Sequence, residues 1–257
     1  MIHQLLDELR ASIRRPQFVV VAALIVIVPP VSGVASLSGY ALDHWMSYAT
    51  IMFDGLGLLF PLLVTLLTQP RLLDEWSNTY ANSVRTRVAP AQYFRTKLAS
   101  SAMLAGAVFL TATALSLLVA RLTYTDHGYG VASAGPIETR FPLSQLWALS
   151  PALYVIAFCL WVGLVAASVG IWCTLLTALV SNRFVALVAP LVLWTAVQFG
   201  LAVIGLEELS LPPFRFHLIQ QPIWTEFVGL IAITVASAAM LYIVRKSDYQ
   251  SPGIVRP

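Results

Sequence analysis

The chain has 257 residues, of which 58% are hydrophobic and only 11% are charged. A soluble fold of this size needs far more charge on its surface, and a mean hydropathy of +0.80 places most of the chain in lipid, so the composition excludes a soluble enzyme and a disordered protein. The net charge of +3 comes from cations spread over several loops, which argues against a nucleic-acid partner.

Residues 1–16 carry an amphipathic helical pattern ahead of the first apolar stretch. The apolar face of this pattern includes Leu5, Leu6 and Leu9. The pattern predicts a helix at the membrane interface, which Arg14 and Arg15 hold at the level of the lipid headgroups and Pro16 ends. The alternative is a basic flank of the first span with no further role.

Six stretches of about 20 mostly apolar residues each predict transmembrane helices. They lie near 17–38, 48–67, 98–120, 152–180, 184–205 and 226–244. The predicted fold class is therefore all-α, a polytopic membrane protein with six transmembrane helices in a single domain that covers residues 1–257. An even number of spans places both termini on the same side of the membrane.

The Lys and Arg residues predict the orientation, because basic residues close to a span stay in the cytoplasm. Of the 15 Lys and Arg residues, only Arg121, Arg140 and Arg215 fall on the side opposite the termini. We therefore expect a multi-pass protein of the plasma membrane, in a bacterial cell, with both termini and the 68–97 loop in the cytoplasm.

The 68–97 loop has neither a catalytic motif nor low-complexity character, so we expect it to fold. Pro70 can open a helix, Asp74 and Glu75 suit its first turns, and Pro90 ends the pattern. The apolar and basic residues of the pattern are Leu72, Leu73, Trp76, Tyr80, Arg85 and Arg87. The loop therefore predicts an amphipathic helix that presses on a soluble partner or lies on the lipid surface.

The acidic pair followed by an aromatic residue (Asp74, Glu75, Trp76), together with Pro90 and Lys97, resembles the loop between the second and third spans of ABC-2 type permeases. These proteins are the membrane subunits of ATP-binding-cassette exporters. The amphipathic N-terminal helix, the six spans and the cytoplasmic termini are similar to that family over nearly the whole chain.

The resemblance implies a cytoplasmic coupling helix at about 70–90, which docks on an ATPase subunit, and a connecting helix at about 2–15 along the membrane. The ATPase-coupling residues that it implies are Leu73, Asp74, Glu75, Trp76, Tyr80, Arg85 and Arg87. The connecting-helix residues that it implies are Leu5, Leu6, Leu9, Arg14 and Arg15. The chain itself would bind no cofactor. ATP and Mg would belong to two copies of a nucleotide-binding ATPase, and a second permease, identical or homologous, would complete the transporter.

Two segments are expected on the outer side. Residues 121–150 form the largest outer loop, which either caps the spans or receives a substrate. Residues 206–225 are too polar and too rich in proline to span, yet they carry many apolar side chains. This predicts a re-entrant segment at the outer interface, and ABC-2 permeases commonly have short re-entrant helices at the same place. The scattered histidines of these segments have no metal-ligand spacing, so no metal site is expected.

Three polar side chains stand out inside the predicted spans. Asp54 is the only acid well inside a span, where an unpaired carboxylate is costly. It is either a proton or cation site, or a group that bonds to a neighbouring helix or lies nearer the outer surface. Thr195 and Gln198 are either contacts between helices or part of a substrate pathway.

Catalytic motifs are not found in the sequence. It has no GxxxxGK motif followed by Ser or Thr, no HExxH and no GxSxG, so we expect no catalytic residues and no ATP hydrolysis by this chain. The sequence predicts a permease subunit of an ABC exporter, which moves a drug, an antimicrobial peptide or a lipid-like substrate out of the cytoplasm or inner leaflet. The alternatives are a proton-coupled secondary transporter that uses Asp54 and a membrane assembly factor that transports nothing.

Overall fold

A computed structural model of the protein describes residues 2–36, 45–77, 90–127, 142–180, 182–211, 213–214 and 222–250. Over these ranges the chain is helical and contains no strand. The α-helices in them are α1 (Ile2–Ile13), α2 (Pro16–Ser36), α3 (Trp45–Thr68), α4 (Pro70–Ser77), α5 (Pro90–His127), α6 (Pro151–Leu179), α7 (Arg183–Val203) and α8 (Ile223–Gln250). Short 3-10 helices lie at Ser144–Ala148 and Glu207–Leu209.

Within the described residues, six helices are long and apolar enough to cross a bilayer. They are Pro16–Ser36, Tyr48–Thr68, Ala91–Thr123, Pro151–Leu179, Arg183–Val203 and Ile223–Lys246, with mean hydropathies from 2.0 to 2.6 in their most apolar windows. The prediction of an all-helical chain with six apolar spans is confirmed. The six helices indicate a multi-pass membrane protein.

The first residues of two spans show why these helices begin where they do. Ser150 has extended backbone and its hydroxyl accepts a hydrogen bond from the Leu153 amide, while Pro151 occupies the first turn, where its missing N–H is not needed. The Asn182 side chain accepts bonds from the first amides of α7. Ser150 thus fixes where α6 begins, and Asn182 fixes where α7 begins.

Helix α5 begins earlier than the sequence pattern indicates. We expected Pro90 to end a helical segment and the third span to start near 98, but α5 starts at Pro90 and continues through Lys97. Its 38 residues correspond to about 57 Å, well beyond the roughly 30 Å of a hydrocarbon core. The helix can carry Lys97 in its early turns because acids from two other helices neutralise that charge.

The interior of the bundle is centred on α3, α5 and α6, and α2 packs on α3 and α5. The closest approach is between α5 and α6, where three glycines lie at the contact. A Cβ on Gly106 would lie 3.1 Å from the Gly163 carbonyl oxygen, and one on Gly170 would lie 3.1 Å from the Ser101 carbonyl oxygen. Small residues therefore let the two backbones touch, as is typical of helices packed in membranes.

The chain after α7 turns back toward the core. Phe214 is 4% exposed, and its ring centroid lies 4.8 Å from that of Phe53 and 6.2 Å from that of Phe60, both on α3. Leu211 packs so closely on α8 that a Cβ on Gly229 would meet it at 2.6 Å. Residues 215–221 lie outside the described ranges, so the re-entrant segment over 206–225 stays a prediction.

Candidate functional site

One end of the bundle, here called the α4 end, consists of α1, α4 and the first turns of α5. Helix α3 stops at Thr68, and Pro70 opens α4 after a single bend residue. Helix α1 packs on α5 beside it. The three helices bring together four charged side chains that are far apart in sequence, Glu8, Arg71, Glu75 and Lys97, which we call the ion-pair cluster.

In the ion-pair cluster each cation bridges both carboxylates. Lys97 Nζ lies 2.6 Å from Glu8 Oε1 and 2.7 Å from Glu75 Oε2. Arg71 Nη2 lies 3.0 Å from Glu8 Oε2, and its Nε lies 2.9 Å from Glu75 Oε1. The side chains are only 6% to 18% exposed. The result is a closed ring of alternating charge, buried where three helices meet.

The remaining hydrogen-bonding groups of the cluster are also occupied. The Tyr93 hydroxyl donates to Glu75 Oε2 at 2.6 Å, and Arg71 Nη1 donates to the Glu8 carbonyl oxygen at 2.8 Å and to Ser12 Oγ at 3.1 Å. Lys97 Nζ also lies 5.3 Å from the centre of the Tyr93 ring. Two acids and two bases balance, so the burial is tolerated as a set, while removal of one member leaves a buried charge uncompensated.

The pKa of Glu75 reflects this environment. Burial alone would raise it, but the charge of Lys97 and hydrogen bonds from Lys97, Tyr93 and Arg71 outweigh burial and hold the pKa below its ordinary value of 4.5. Glu75 is therefore ionised at neutral pH, as the ring of alternating charge requires.

This lowered pKa predicts a defined pH dependence. The folded-state pKa lies below the unfolded one, so ionised Glu75 contributes stability at every pH above 4.5 and loses that contribution as the pH falls through the folded value. We expect the difference in unfolding free energy between the wild type and Glu75→Gln to be constant from neutral pH down to about 4.5 and to shrink below it. Detergent-solubilised protein unfolded across the acid range measures this. A difference in unfolding free energy that stays the same over the whole pH range would contradict this prediction.

Further contacts tie α4, and the bend residue Gln69 before it, to two more spans. Gln69, which is 1% exposed, donates from Nε2 to Thr174 Oγ1 on α6 at 3.0 Å. Arg183 Nη2, at the start of α7, donates to the Leu73 carbonyl oxygen at 3.2 Å. A cavity of about 10 Å³, the size of one water molecule, lies between Gln69 and the ion-pair cluster. A displacement of α4 therefore reaches α1, α5, α6 and α7 through direct contacts.

The predicted coupling residues divide between the interior and the surface. Leu73 and Glu75 are buried, and the contacts of Glu75 are to residues of its own chain. Asp74 is half-exposed and accepts from Arg15 at 2.8 Å, which joins a predicted coupling residue to a predicted connecting-helix residue. Tyr80, Arg85, Arg87 and the Trp76 side chain lie outside what the structure describes.

The predicted connecting helix corresponds to α1. Its Leu5 and Leu9 side chains are half-buried, whereas Leu6 and Arg14 are exposed. Ile13, at the end of α1, is also exposed. Helix α1 thus keeps an apolar surface free while its polar side takes part in the ion-pair cluster.

Sequence reasoning did not assign Glu8, Arg71, Lys97 or Tyr93 to a common site. The amphipathic pattern of residues 1–16 places Glu8 on the polar face of α1, but its side chain is 13% exposed and paired twice. The sequence signal for part of this cluster is local, because Arg71 and Glu75 are spaced i,i+4 on one helix and can pair there. The pairing of Glu8 with Lys97 spans 89 residues and has no local signature.

The polar side chains inside the spans lie away from the ion-pair cluster. Asp54 is exposed on α3, Thr195 is exposed on α7, and Gln198 is half-buried on α7. Within the described ranges, no three His, Cys, Asp or Glu side chains are grouped so that they could hold a metal ion.

Comparison with known proteins identifies no relative. No protein family, curated protein or solved structure matches this chain.

Proposed function

We propose that the chain is the permease subunit of an ABC exporter of the ABC-2 type, in which α4 is the coupling helix. The ion-pair cluster is the observation that carries the proposal. A short helix between the second and third spans is bonded through buried charges to α1 and α5, which suits a part that receives a force and passes it to the membrane.

The proposed mechanism follows from these contacts. Two copies of a partner ATPase, which bind ATP and Mg, press on the loop that contains α4 when they close. Arg71 and Glu75 cannot slide past Glu8 and Lys97 without separating buried opposite charges, so the four side chains, and the three helices that carry them, move as one unit. The push is then shared among α1 and α5 through the cluster, α6 through Gln69 and α7 through Arg183.

The α4 end faces the cytoplasm in this proposal, because the basic residues near the spans concentrate there. The residues in question are Arg14, Arg15, Arg71, Arg95, Lys97, Arg183, Arg245 and Lys246. Helix α1 acts as the connecting helix and lays the exposed Leu6 and Ile13 on the boundary between headgroups and acyl chains. A second permease, identical or homologous, completes a pathway for a hydrophobic or amphipathic substrate, and the 206–225 segment closes its outer end.

The proposal is tested by mild-detergent purification of the tagged chain from its native membrane, followed by mass spectrometry of the proteins that copurify. We expect a stoichiometric nucleotide-binding ATPase. The double change Arg85→Glu and Arg87→Glu should abolish its recovery, because these residues lie on the predicted docking loop and not in the ion-pair cluster. Arg140→Glu, a charge reversal in the predicted outer loop, is the matched control and should retain the ATPase.

Glu75 is a poor choice for this experiment, because its substitution disrupts contacts within the chain. Recovery of the folded chain without an ATPase, in repeated preparations, would refute the exporter proposal. Equal recovery of the ATPase with the double variant Arg85→Glu and Arg87→Glu and with Arg140→Glu would refute the assignment of the docking loop, but the ATPase would remain a partner.

A further inference from the structure

Gln69 lies between α3 and α4, and the hydrogen bonds of its amide determine which way that amide faces. Gln69 Nε2 donates to Thr68 Oγ1 at 2.8 Å and to Thr174 Oγ1 at 3.0 Å. The Thr68 hydroxyl itself donates to the Val64 carbonyl oxygen at 2.8 Å. The Thr174 hydroxyl donates to the Gly170 carbonyl oxygen, also at 2.8 Å. Each hydroxyl has only one hydrogen, so the two threonines can only accept from Gln69, and the amide oxygen Oε1 must face elsewhere.

The amide oxygen of Gln69 is buried without a donor. Gln69 is 1% exposed, and no residue that the structure describes donates a hydrogen bond to its Oε1. Buried amide oxygens in folded proteins nearly always accept a hydrogen bond, because leaving one unpaired carries the full cost of its desolvation. Gln69 Oε1 therefore indicates a small molecule that donates a hydrogen bond at this position.

The cavity that Gln69 lines is the place for such a molecule. Its volume is about 10 Å³, which is close to the smallest volume that holds one water molecule. Ser100 and Ser101 also line it, but their hydroxyl hydrogens are already used. Ser100 Oγ donates to the Lys97 carbonyl oxygen at 3.0 Å, and Ser101 Oγ donates to a carbonyl oxygen of α6 at 2.9 Å. These hydroxyls cannot turn toward Gln69 without breaking those bonds, so the cavity itself must hold the donor.

The ion-pair cluster also lines the cavity, through Glu8, Arg71 and Lys97. Arg71 Nη2 carries two hydrogens, and among the described residues its one close carboxylate oxygen is Glu8 Oε2 at 3.0 Å. The Ser12 hydroxyl lines the cavity too, and it accepts from Arg71 Nη1 at 3.1 Å, so its own hydrogen takes no part in that bond. A molecule in the cavity can therefore accept a hydrogen bond from this side while it donates one to Gln69.

We propose that one ordered water molecule occupies the cavity, where it donates to Gln69 Oε1 and accepts from Arg71 or Ser12. A cation is disfavoured because the charged groups of Arg71 and Lys97 line the cavity, and an anion is disfavoured because Oε1 needs a donor. The volume leaves no room for a larger neutral molecule. The water links the ion-pair cluster to Gln69, which bonds to Thr174, so α1, α5 and α6 share one hydrogen-bonded network at the α4 end. This link does not depend on the exporter proposal.

A crystal structure of the full chain in a lipidic cubic phase tests the water directly. We expect density for one water molecule about 2.7–3.2 Å from Gln69 Oε1 and at a similar distance from Arg71 Nη2 or Ser12 Oγ. The lack of density there, in a map that shows ordered waters elsewhere on the chain, would overturn the proposal. Contacts of about 2.0–2.6 Å to several oxygens would also overturn it, because such distances indicate a bound metal cation.

A second measurement detects the water with the full chain in nanodiscs. An X-ray pulse converts bound water into hydroxyl radicals, which oxidise the adjacent side chains, and mass spectrometry identifies the oxidised residues. We expect oxidation of Leu104, which lines the cavity and is 8% exposed. Leu117 is the matched control, because it lies on the same helix, is 2% exposed and should stay unoxidised.

Gln69→Leu removes the acceptor of the water and should reduce the oxidation of Leu104 to the level of Leu117. Asp74→Asn, in a half-exposed ion pair, should leave the oxidation of Leu104 unchanged. Equal oxidation of Leu104 in the wild type and in folded Gln69→Leu would overturn the proposal. A wild-type Leu104 as unreactive as Leu117 would overturn it too, whether or not Gln69→Leu folds.

Discussion

Lys97→Met will destabilise the protein by about 3–5 kcal/mol, the cost typical of breaking a buried ion pair. Lys97 is the only side chain besides Arg71 that neutralises Glu8 and Glu75 among the described residues. Without it two buried carboxylates share one guanidinium. We expect α1 to separate from α5 first, since the Glu8–Lys97 pair is the direct ionic link between them.

The matched double variant decides whether charge balance is the cause. Lys97→Met combined with Glu75→Gln leaves one acid and one base, Glu8 and Arg71, so we expect it to be more stable than Lys97→Met alone. Asp74→Asn, in a half-exposed pair, should cost less than about 1 kcal/mol. Unfolding by denaturant in mixed micelles measures all three. A double variant that is less stable than Lys97→Met would show that packing, and not charge, accounts for the loss.

Gly170→Leu will prevent the normal packing of α5 on α6 and destabilise the protein by about 3 kcal/mol. A Cβ at this position already meets the Ser101 carbonyl oxygen at 3.1 Å and the Ser101 hydroxyl at 3.2 Å. The larger side chain must push the helices apart, which also breaks the hydrogen bond from Ser101 Oγ to the Gly170 carbonyl oxygen. We expect poor recovery of monodisperse protein after detergent extraction.

Gly200→Leu is the control for this substitution. Gly200 lies in a transmembrane helix too, but a Cβ there meets nothing within 4 Å. Leucine also favours the helix over glycine, so we expect stability equal to or above that of the wild type. Equal loss with both variants, measured by size-exclusion chromatography and thermal unfolding, would refute close packing at Gly170 as the cause.

The six spans could be predicted from the sequence because each is set by a local property, a run of apolar residues long enough for a bilayer. The start of α5 could not be predicted in this way, because a hydropathy profile treats Arg95 and Lys97 as evidence against a span, whether or not other residues neutralise their charges. Pro16 indicated where α2 begins. Pro90 was ambiguous, because a proline can follow the end of one helix or occupy the first turn of the next, and only the packing of α5 shows which of the two applies.

The ion-pair cluster, too, could be predicted only in part from the sequence. The sequence drew attention to Glu75 through its acidic and aromatic neighbours, but it could not indicate which way the side chain faces. The orientation of the Glu75 side chain depends on Glu8 in α1 and Lys97 in α5, and two spans separate these helices in the sequence. Asp54 was the opposite case, because its polarity in an apolar run was evident from sequence alone and only its exposure had to come from the structure.

The separation of Glu8 and Lys97 also affects how the protein is made. The two residues are 89 positions apart, so at about 5–20 residues per second the ribosome adds Glu8 roughly 4 to 18 s before it adds Lys97. During that interval α1 carries an acid that the finished protein buries. A nascent chain that stalls before residue 97 holds both acids of the ion-pair cluster but only one of its two bases, Arg71, so the cluster cannot close until translation resumes.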